Sequence, residues 1–583
     1  MIKTLLFISL ILMEFISQNC YAQIGWQWVA AGKAIGINGE TEFWGKIAVD
    51  DSGNVYETNI SPWFDSAVFG TFKILNPQVL CQIIVTKTNS TGNFLWAIGT
   101  LHSNAIPISI APDKYGNLYL LGVYYGGNLK IGTKSVNTSP AANSYFLAKI
   151  SAQGTVIWAK NVGNYSITTP THDAEDEFLN CRGGLGIDTF GDIFVTGSFC
   201  DAYLAVDTIR ISNFDTIPDP FWGTYSFDIF LENFDTSGSI KWVKTFGDIY
   251  DDFSYLLSAT PNGNVLIQGD IGYCTTPNFC DGLLSNTGYL ARFDRFGNCL
   301  MARDYGITVF DMTTDPDNNI YILSAMDSIL TLGTTTLTSN GSSDVLVIKY
   351  DSLLQVLWAN SGGGVLPDEA YGITVDACQN VFVCGEMGMN PGPNMTPGYT
   401  MNFNEHILSQ VSDSCCDPMF VVEYDNAGNY QNSLALTTGG DDVNGITVDN
   451  KGSFYVGADY ISLQPWIIGN DTLNPTDGSE YSIIAKFRYD SLGCSIYHWT
   501  DETNSLPIPF RNNIIISPNP VQTELTISSS TLITNITITN LLGQKLYAHE
   551  YSEKNVQIDV ANLPAGMYLV QVNGTEVRKF VKE

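Results

Sequence analysis

The sequence predicts an all-β protein: a seven-bladed β-propeller of four-stranded antiparallel blades, followed by a small C-terminal β-sandwich. Three observations carry that prediction. A strand–turn–strand unit led by Asp recurs seven times; a second such unit, often ending on a Trp strand, follows it; and residues 514–583 alternate apolar and polar positions outside the repeat. A chain of 583 residues exceeds one ordinary domain, and a repeat array with a tail accommodates that length.

The first unit is plainest in "GITVDACQNVFVCG" (372–385) and "GITVDNKGSFYVG" (445–457). Earlier copies begin at residues 47, 108, 185, 256 and 311. The last turn residues are Asn54, Asn117, Asp192, Asn264, Asn319, Asn380 and Ser453, spaced by 55 to 75. The turn explains its own composition. Asp at the first position (Asp50, Asp113, Asp188, Asp315, Asp376, Asp449; Thr260 in the fourth copy) accepts hydrogen bonds from N–H groups two residues on. Gly in five of seven copies supplies a positive φ, with Asn318 and Gln379 as the exceptions. The recurring Asp is therefore a turn device before it is a catalytic or metal-ligating group.

The second unit is seen in "FLAKISAQGTVIWAK" (from 146), "IFLENFDTSGSIKWVK" (from 229) and "VLVIKYDSLLQVLWA" (from 345). Four strands per repeat, seven times over, leave exposed sheet edges unless the array closes into a ring. The seventh copy has a third strand, "YSIIAKFRYDSLG" (from 481), but no Trp strand after it, whereas "IGWQWVAAGKAIG" (24–36) is a Trp strand with no predecessor. Trp28 stands where Trp96, Trp158, Trp242 and Trp358 stand, so the N-terminal strand is expected to complete blade seven. The segment around Tyr497 is the competing choice. Over roughly residues 24–500 these copies resemble the bacterial β-propeller repeat (SBBP) family, which reads Gly-Ile-x-Val-Asp-x-x-Gly-Asn-x-Tyr-Val-Thr-Gly and then Leu-Trp-Ala-Lys. That resemblance implies no common activity.

The start, "MIKTLLFISLILMEFISQNCYAQ", combines Lys3, an apolar run from Leu5 to Met13 and a small-residue site. It reads as a secretory signal over 1–22, cleaved between Ala22 and Gln23. A lipoprotein signal through Cys20 is disfavoured because Asn19 stands where a small residue is wanted. The run is too short to span a bilayer, and no later stretch reaches eighteen apolar residues, so no transmembrane segment is expected. Formal net charge is −32, which makes nucleic acid and anionic membrane surfaces poor partners, since both need a basic footprint. Twelve cysteines suit an exported chain with optional disulfides. With Asp188 and Ile193 flanking the turn, Cys181 and Cys200 would face each other across a hairpin, which makes them the candidate disulfide; Cys274 with Cys280 is a weaker one.

After a linker at 501–513, the tail contains Ser517-Pro518-Asn519-Pro520, Leu541-Leu542-Gly543-Gln544 and Leu563-Pro564-Ala565-Gly566-Met567-Tyr568, and ends on Lys579 and Lys582. In this order, over 514–583, the pieces resemble the type A C-terminal sorting domain of the type IX secretion system. The resemblance implies Sec export to the periplasm, recognition by the type IX machinery, transfer to the outer cell surface, and attachment or release there.

A search for chemistry finds little. The five histidines, His102, His172, His406, His498 and His549, are scattered, and no HExxH or GxSxG occurs. "THDAEDEF" (from 171) reads first as a solvated loop and second as a cation or glycan contact at the propeller mouth. "TDPDNN" (314–319) lacks the distal Glu of a calcium loop. Most tryptophans belong to the packing strand; Trp63 and Trp222 lie off it. No catalytic residue, cofactor site or metal ligand is assigned, and calcium is the sole cofactor weighed. The expectation is a non-catalytic binding or adhesion module at domain 23–500, with a glycan or protein as its extracellular ligand. A structural surface-layer protein and an enzyme acting on polysaccharide or peptide are the alternatives.

Overall fold

The computed structural model describes residues 24–36, 45–62, 64–75, 81–125, 127–137, 143–165, 182–215, 225–261, 263–272, 288–304, 306–388, 400–403, 406–409, 418–436, 443–460, 466–468, 471–473, 481–489, 514–517, 521–540, 544–573 and 576–582. Every regular element among them is a β-strand. The chain divides into two compact units, Met1–His498 and Trp499–Glu583. The signal segment, Ala22 and Gln23 among it, and the 501–513 linker lie outside the described residues.

The first unit contains seven antiparallel runs of four strands, which we number by their first strands: Gly45–Val49, Asn104–Pro112, Gly183–Ile187, Phe253–Ala259, Asp311–Thr314, Glu369–Val375 and Val443–Val448. The Asp turns join first to second strands. In each, as in Asp50, the residue at position one exchanges backbone hydrogen bonds with positions four and five (Gly53 N–H to Asp50 O, 2.8 Å; Asp50 N–H to Asn54 O, 2.9 Å). That is a three-residue hairpin loop whose last residue must turn left-handed, and Gly53 does so at φ 79°. Asn318 and Gln379 adopt the same conformation at 66° and 65° without Gly.

Sheet seven takes its fourth strand from the other end of the unit. Ile24–Gly36 pairs antiparallel with Tyr481–Tyr489, Trp28 opposite Lys486, as the Trp spacing predicted. The alternative around Tyr497 lies outside the described residues. The same facing pair recurs as Trp96 and Lys87, Trp158 and Lys149, and Trp358 and Lys349. First strands touch first strands in chain order, and Gly45–Val49 touches both Asn104–Pro112 and Val443–Val448. The apolar cores lie between sheets. Ile108, Tyr119 and Leu121 of sheet two pack with Leu185, Val195 and Phe230 of sheet three, while Ala30, Tyr455 and Ile484 of sheet seven pack with Val55 of sheet one.

The periodicity of the sequence leaves one feature unmarked. Between second and third strands, six sheets insert a short hairpin among the described residues: Phe64–Phe69 with Phe72–Leu75, Asn128–Ile131 with Lys134–Asn137, Tyr203–Val206 with Ile209–Ser212, Ile329–Leu332 with Thr335–Thr338, Thr400–Phe403 with His406–Ser409, and Trp466–Ile468 with Asp471–Leu473. Three of these pair with the fourth strand of the preceding sheet, widening it to six strands.

The second unit departs from the expected pair of sheets. Its five strands form one antiparallel sheet, in which Glu524–Asn540 and Lys545–Asp559 run its length with register shifts between Ser528 and Ile533. Residues on both sides of that break, Leu525 and Ile527 with Ile536, Ile538, Tyr568 and Phe580, share one core, so the long strands fold over it. Within it, Tyr568 donates to Pro564 O at 2.7 Å and stacks on Phe580, Gly566 pairs opposite Lys582, and Lys579 opposite Leu569. Lys582 is buried. Pro518, Asn519, Pro520 and Gly543 lie outside the described residues.

Candidate functional site

Antiparallel order sends the Asp turns and the third-to-fourth-strand turns to one end of the seven sheets. The starts of the first strands gather at the other end. The first end is occupied by structure. Asp50 Oδ1 accepts from Ser52 and Asn54 N–H, and its Oδ2 from Asn54 Nδ2 and Tyr56 Oη. Asp315 repeats this with Asp317, Asn319 and Tyr321. These carboxylates are committed to their turns, which accounts for the Asp series and for "TDPDNN". Each Trp then reaches the next sheet: Trp28 Nε1 donates to Ser90 O at 2.9 Å, Trp96 to Ala152 O at 3.0 Å, Trp242 to Arg295 O at 3.0 Å and Trp358 to Asn426 O at 3.0 Å.

The opposite end carries polar and aromatic groups contributed by several sheets. Arg182, at the entry to sheet three's first strand, lays its guanidinium 4.6 Å from the centroid of Tyr255, the third residue of sheet four's first strand. Phe253 stacks beside Tyr255 at 6.0 Å and 18°. Burial, then the Asp270 carboxylate to which it hydrogen-bonds, push the Tyr255 phenol up, so it stays a donor and is no base at neutral pH. A second Tyr–carboxylate group sits on sheet six. Tyr371 donates to Glu369 Oε2 at 2.6 Å, with Glu386 Oε2 at 3.5 Å, and Glu386 Oε1 accepts from Val443 N–H of sheet seven at 3.1 Å.

Between these groups the first strands exchange polar contacts. Gly45 N–H donates to Asn444 Oδ1 at 2.9 Å, and Ile373 N–H to Asp311 Oδ2 at 2.9 Å. Burial raises Asp311 to about 6, opposed by the positive charge of Lys46. Lys46 belongs to sheet one and Asp311 to sheet five, so the lysine charge acts on Asp311 from a sheet that does not neighbour it in the order of contacts. Glu57, buried between sheets one and seven, is pushed to about 7 by burial although Ser482 Oγ donates to it at 2.8 Å.

Sequence reasoning reached none of these residues, because they stand at or within three residues of a strand end, where no periodicity marks them. The clue available was the departure of the strand entries from one another: Lys46, Arg182, Tyr255, Asp311, Tyr371 and Asn444 differ where the turns repeat. Of the residues singled out from sequence, "THDAEDEF", Trp63, Trp222, Cys274 and Cys280 lie outside the described residues. So does Cys181. Cys200 is buried, and the hairpin runs one residue off the expected register, Ile187 facing Ile193, so facing positions no longer argue for the Cys181–Cys200 pair. Cys299 and Cys378 are each disulfide-bonded, and neither belongs to the candidate pairs read from the sequence. Among the described residues no group of three or more His, Cys, Asp or Glu side chains is placed to hold a metal ion, and no helix is long and apolar enough to cross a membrane.

Among solved structures, a protein of unknown function from Dyadobacter fermentans is similar with a TM-score of 0.34 at 8% identity, over 78% of this chain and 99% of that one. A polysaccharide lyase, the PL25 ulvan lyase, has a TM-score of 0.33 at 11% identity over 72% and 95%. PorZ, a surface component of the type IX secretion system of Porphyromonas gingivalis, has 0.16 at 9% over 95% and 100%. TM-scores this low do not establish a shared fold. By sequence, an uncharacterised WD repeat-containing protein of Acanthamoeba polyphaga mimivirus is 24% identical over 485 residues, 68% of this chain. The match spans 32% of that protein, about a third of its length. Residues 515–583 match the secretion system C-terminal sorting domain, in agreement with the motifs of the tail, and they mark the chain as an exported protein handed by type IX secretion to the cell surface, for attachment or release.

Proposed function

We propose that the chain is a non-catalytic binding module of the cell surface, a seven-bladed propeller of the SBBP-like kind that the sorting tail delivers. The closed ring is supported by the cycle of first-strand contacts and by the N-terminal strand in sheet seven. The observation that carries the binding role is the Arg182–Tyr255–Phe253 platform beside Asp270. An aromatic face, a guanidinium and carboxylate acceptors at one strand entry suit a hydroxyl-rich ligand such as a glycan.

The test is binding of the full chain to a panel of polysaccharides and matrix glycoproteins, with breakdown products monitored. Saturable binding without breakdown, reduced at least tenfold in Tyr255→Ala, is the expected outcome. Breakdown of a polysaccharide or peptide would replace this reading with an enzyme. Failure to bind anything would favour a structural surface protein.

A further inference from the structure

Where the first strands begin, three rings and a guanidinium form one row between sheets three and four. Phe227 immediately precedes the third strand of sheet three, and its ring centroid lies 4.9 Å from that of Phe253, which opens the first strand of sheet four. Phe253 stacks beside Tyr255 at 6.0 Å and 18°, and the Arg182 guanidinium lies 4.6 Å from the centroid of Tyr255. The three rings are half-buried and Arg182 is exposed. Backbone geometry sets this row. Alternation along an extended strand sends residues 253 and 255 to one face. Tyr145 Oη donates to Arg182 O at 2.8 Å, which pins the chain where Arg182 enters its strand.

Arg182 differs from the cations of the turn end. There Lys87 meets Asp50 at 3.4 Å, Lys149 meets Asp113 at 4.0 Å, and Lys241 and Arg295 both meet Asp192. Arg182 makes no ion pair among the described residues, although the chain has 59 acidic residues to 27 basic ones. The acids around the row are held by donors of the protein itself. Asp270 accepts from Tyr255, Asp251 Oδ1 from Phe227 N–H at 3.0 Å, and Asp248 Oδ1 from Tyr250 N–H at 2.8 Å. Asp252 accepts from Asp248 N–H at 2.9 Å and Gly272 N–H at 3.1 Å. Burial raises Asp228 to about 8 and Asp252 to about 7, which lightens their negative charge at neutral pH. A guanidinium stacked on a ring keeps its N–H edge open, and that fork matches the paired oxygens of a carboxylate or a sulfate.

We propose that the ligand of this row is an anionic polysaccharide, with sugar faces on Phe227, Phe253 and Tyr255 and a carboxylate or sulfate of the same polymer on Arg182. This class rests on the glycan-binding reading above and narrows it. Aromatic faces take the C–H side of sugar rings. The guanidinium adds what rings cannot supply, a charge-assisted and two-pronged bond to a uronate or a sulfate ester. The net charge of −32 repels such a polymer at long range, so binding comes from short-range contacts within the row.

The experiment measures binding of the full chain, by calorimetry, to polysaccharides in matched pairs: polygalacturonate and alginate beside their carboxyl-reduced products, and carrageenan beside its desulfated product. Wild type is expected to bind an acidic member at least tenfold more tightly than its neutral counterpart, and the pair that shows this assigns carboxylate or sulfate. Arg182→Gln should abolish the preference, bringing the acidic polymer down to the affinity of its neutral counterpart. That variant keeps the backbone carbonyl that Tyr145 uses, and a melting curve checks that it is folded. Arg182→Lys, with the charge but without the fork, should retain part of the preference. Tyr255→Ala should weaken both members of the pair. Wild type binding neutral and acidic members equally overturns the anionic class and leaves the glycan-binding reading standing. A preference that survives in Arg182→Gln overturns it as well, assigning the anion to another cation such as Lys46. Binding to no member of any pair removes this inference together with the reading beneath it.

Discussion

At the scale of single residues, the turn between third and fourth strands shows why Gly appears where it does. Gly154 sits at φ 81° under Trp96 of the preceding sheet, and a Cβ there would come within 2.7 Å of the indole. Gly92, Gly238, Gly297 and Gly428 stand under Trp28, Trp158, Trp242 and Trp358 in the same way. In sheet four the fourth strand carries Met301 at the Trp position, opposite Arg292, and the turn of sheet five then carries Leu354 at φ 60°. Glycine is thus required by two causes at once, left-handed backbone and a ring overhead, and Leu is tolerated where the ring is missing. Gly154→Ala should cost about 2–4 kcal/mol, combining the left-handed penalty with overpacking. Leu354→Gly should change stability by less than about 1 kcal/mol, because relief of the backbone offsets lost packing. Equilibrium denaturation of both variants checks this, and a mild Gly154→Ala would mean that the indole moves aside. The turn residues were legible in the sequence because backbone geometry dictates them locally. The Trp–Gly pairing was not, since its members lie some sixty residues apart on different sheets.

At the scale of elements, the strand Ile24–Gly36 was legible because a Trp strand without a predecessor and a third strand without a successor complement each other. The inserted hairpins were not read, although Gly70, Gly132, Asp207 and Gly333 mark four of their turns with positive φ in sequences such as "FGTF" and "IGTK". Their strands are only three to six residues long, too short for periodicity to register. Terminal strands ordinarily fray, and this one is paired along nine positions and anchored by Trp28 on sheet one. Trp28→Ala should therefore destabilise the chain about as much as Trp96→Ala, on the order of 2–4 kcal/mol, both indoles being largely covered. Chemical denaturation compares the two. A Trp28→Ala loss under a quarter of the Trp96→Ala loss would show that the strand decorates sheet seven without supporting it.

At the scale of the whole molecule, the interior holds more acid than an apolar core tolerates, and this gives stability a pH dependence of definite sign. Burial raises Glu57 to about 7, Glu423 to about 8 and Asp311 to about 6, and likewise Asp228 to about 8 and Asp252 and Asp368 to about 7. Unfolded carboxylates release their protons near pH 4, so between about pH 4 and pH 8 the folded chain holds protons that the unfolded chain has lost. Stability from these groups is fully present below about pH 4 and is lost as pH rises through their folded values. In the presence of a chelator the melting temperature should fall from pH 5 to pH 8. General repulsion among 59 acidic residues acts in the same direction, so the fall alone does not identify its source. Glu57→Gln separates the two. Gln keeps an acceptor for Ser482 and removes one buried titration but only one of those charges, so it should flatten the fall by raising the melting temperature at pH 8 far more than at pH 5. A variant whose profile runs parallel to that of wild type would assign the fall to surface repulsion and show that Glu57 titrates alike in the folded and unfolded chain.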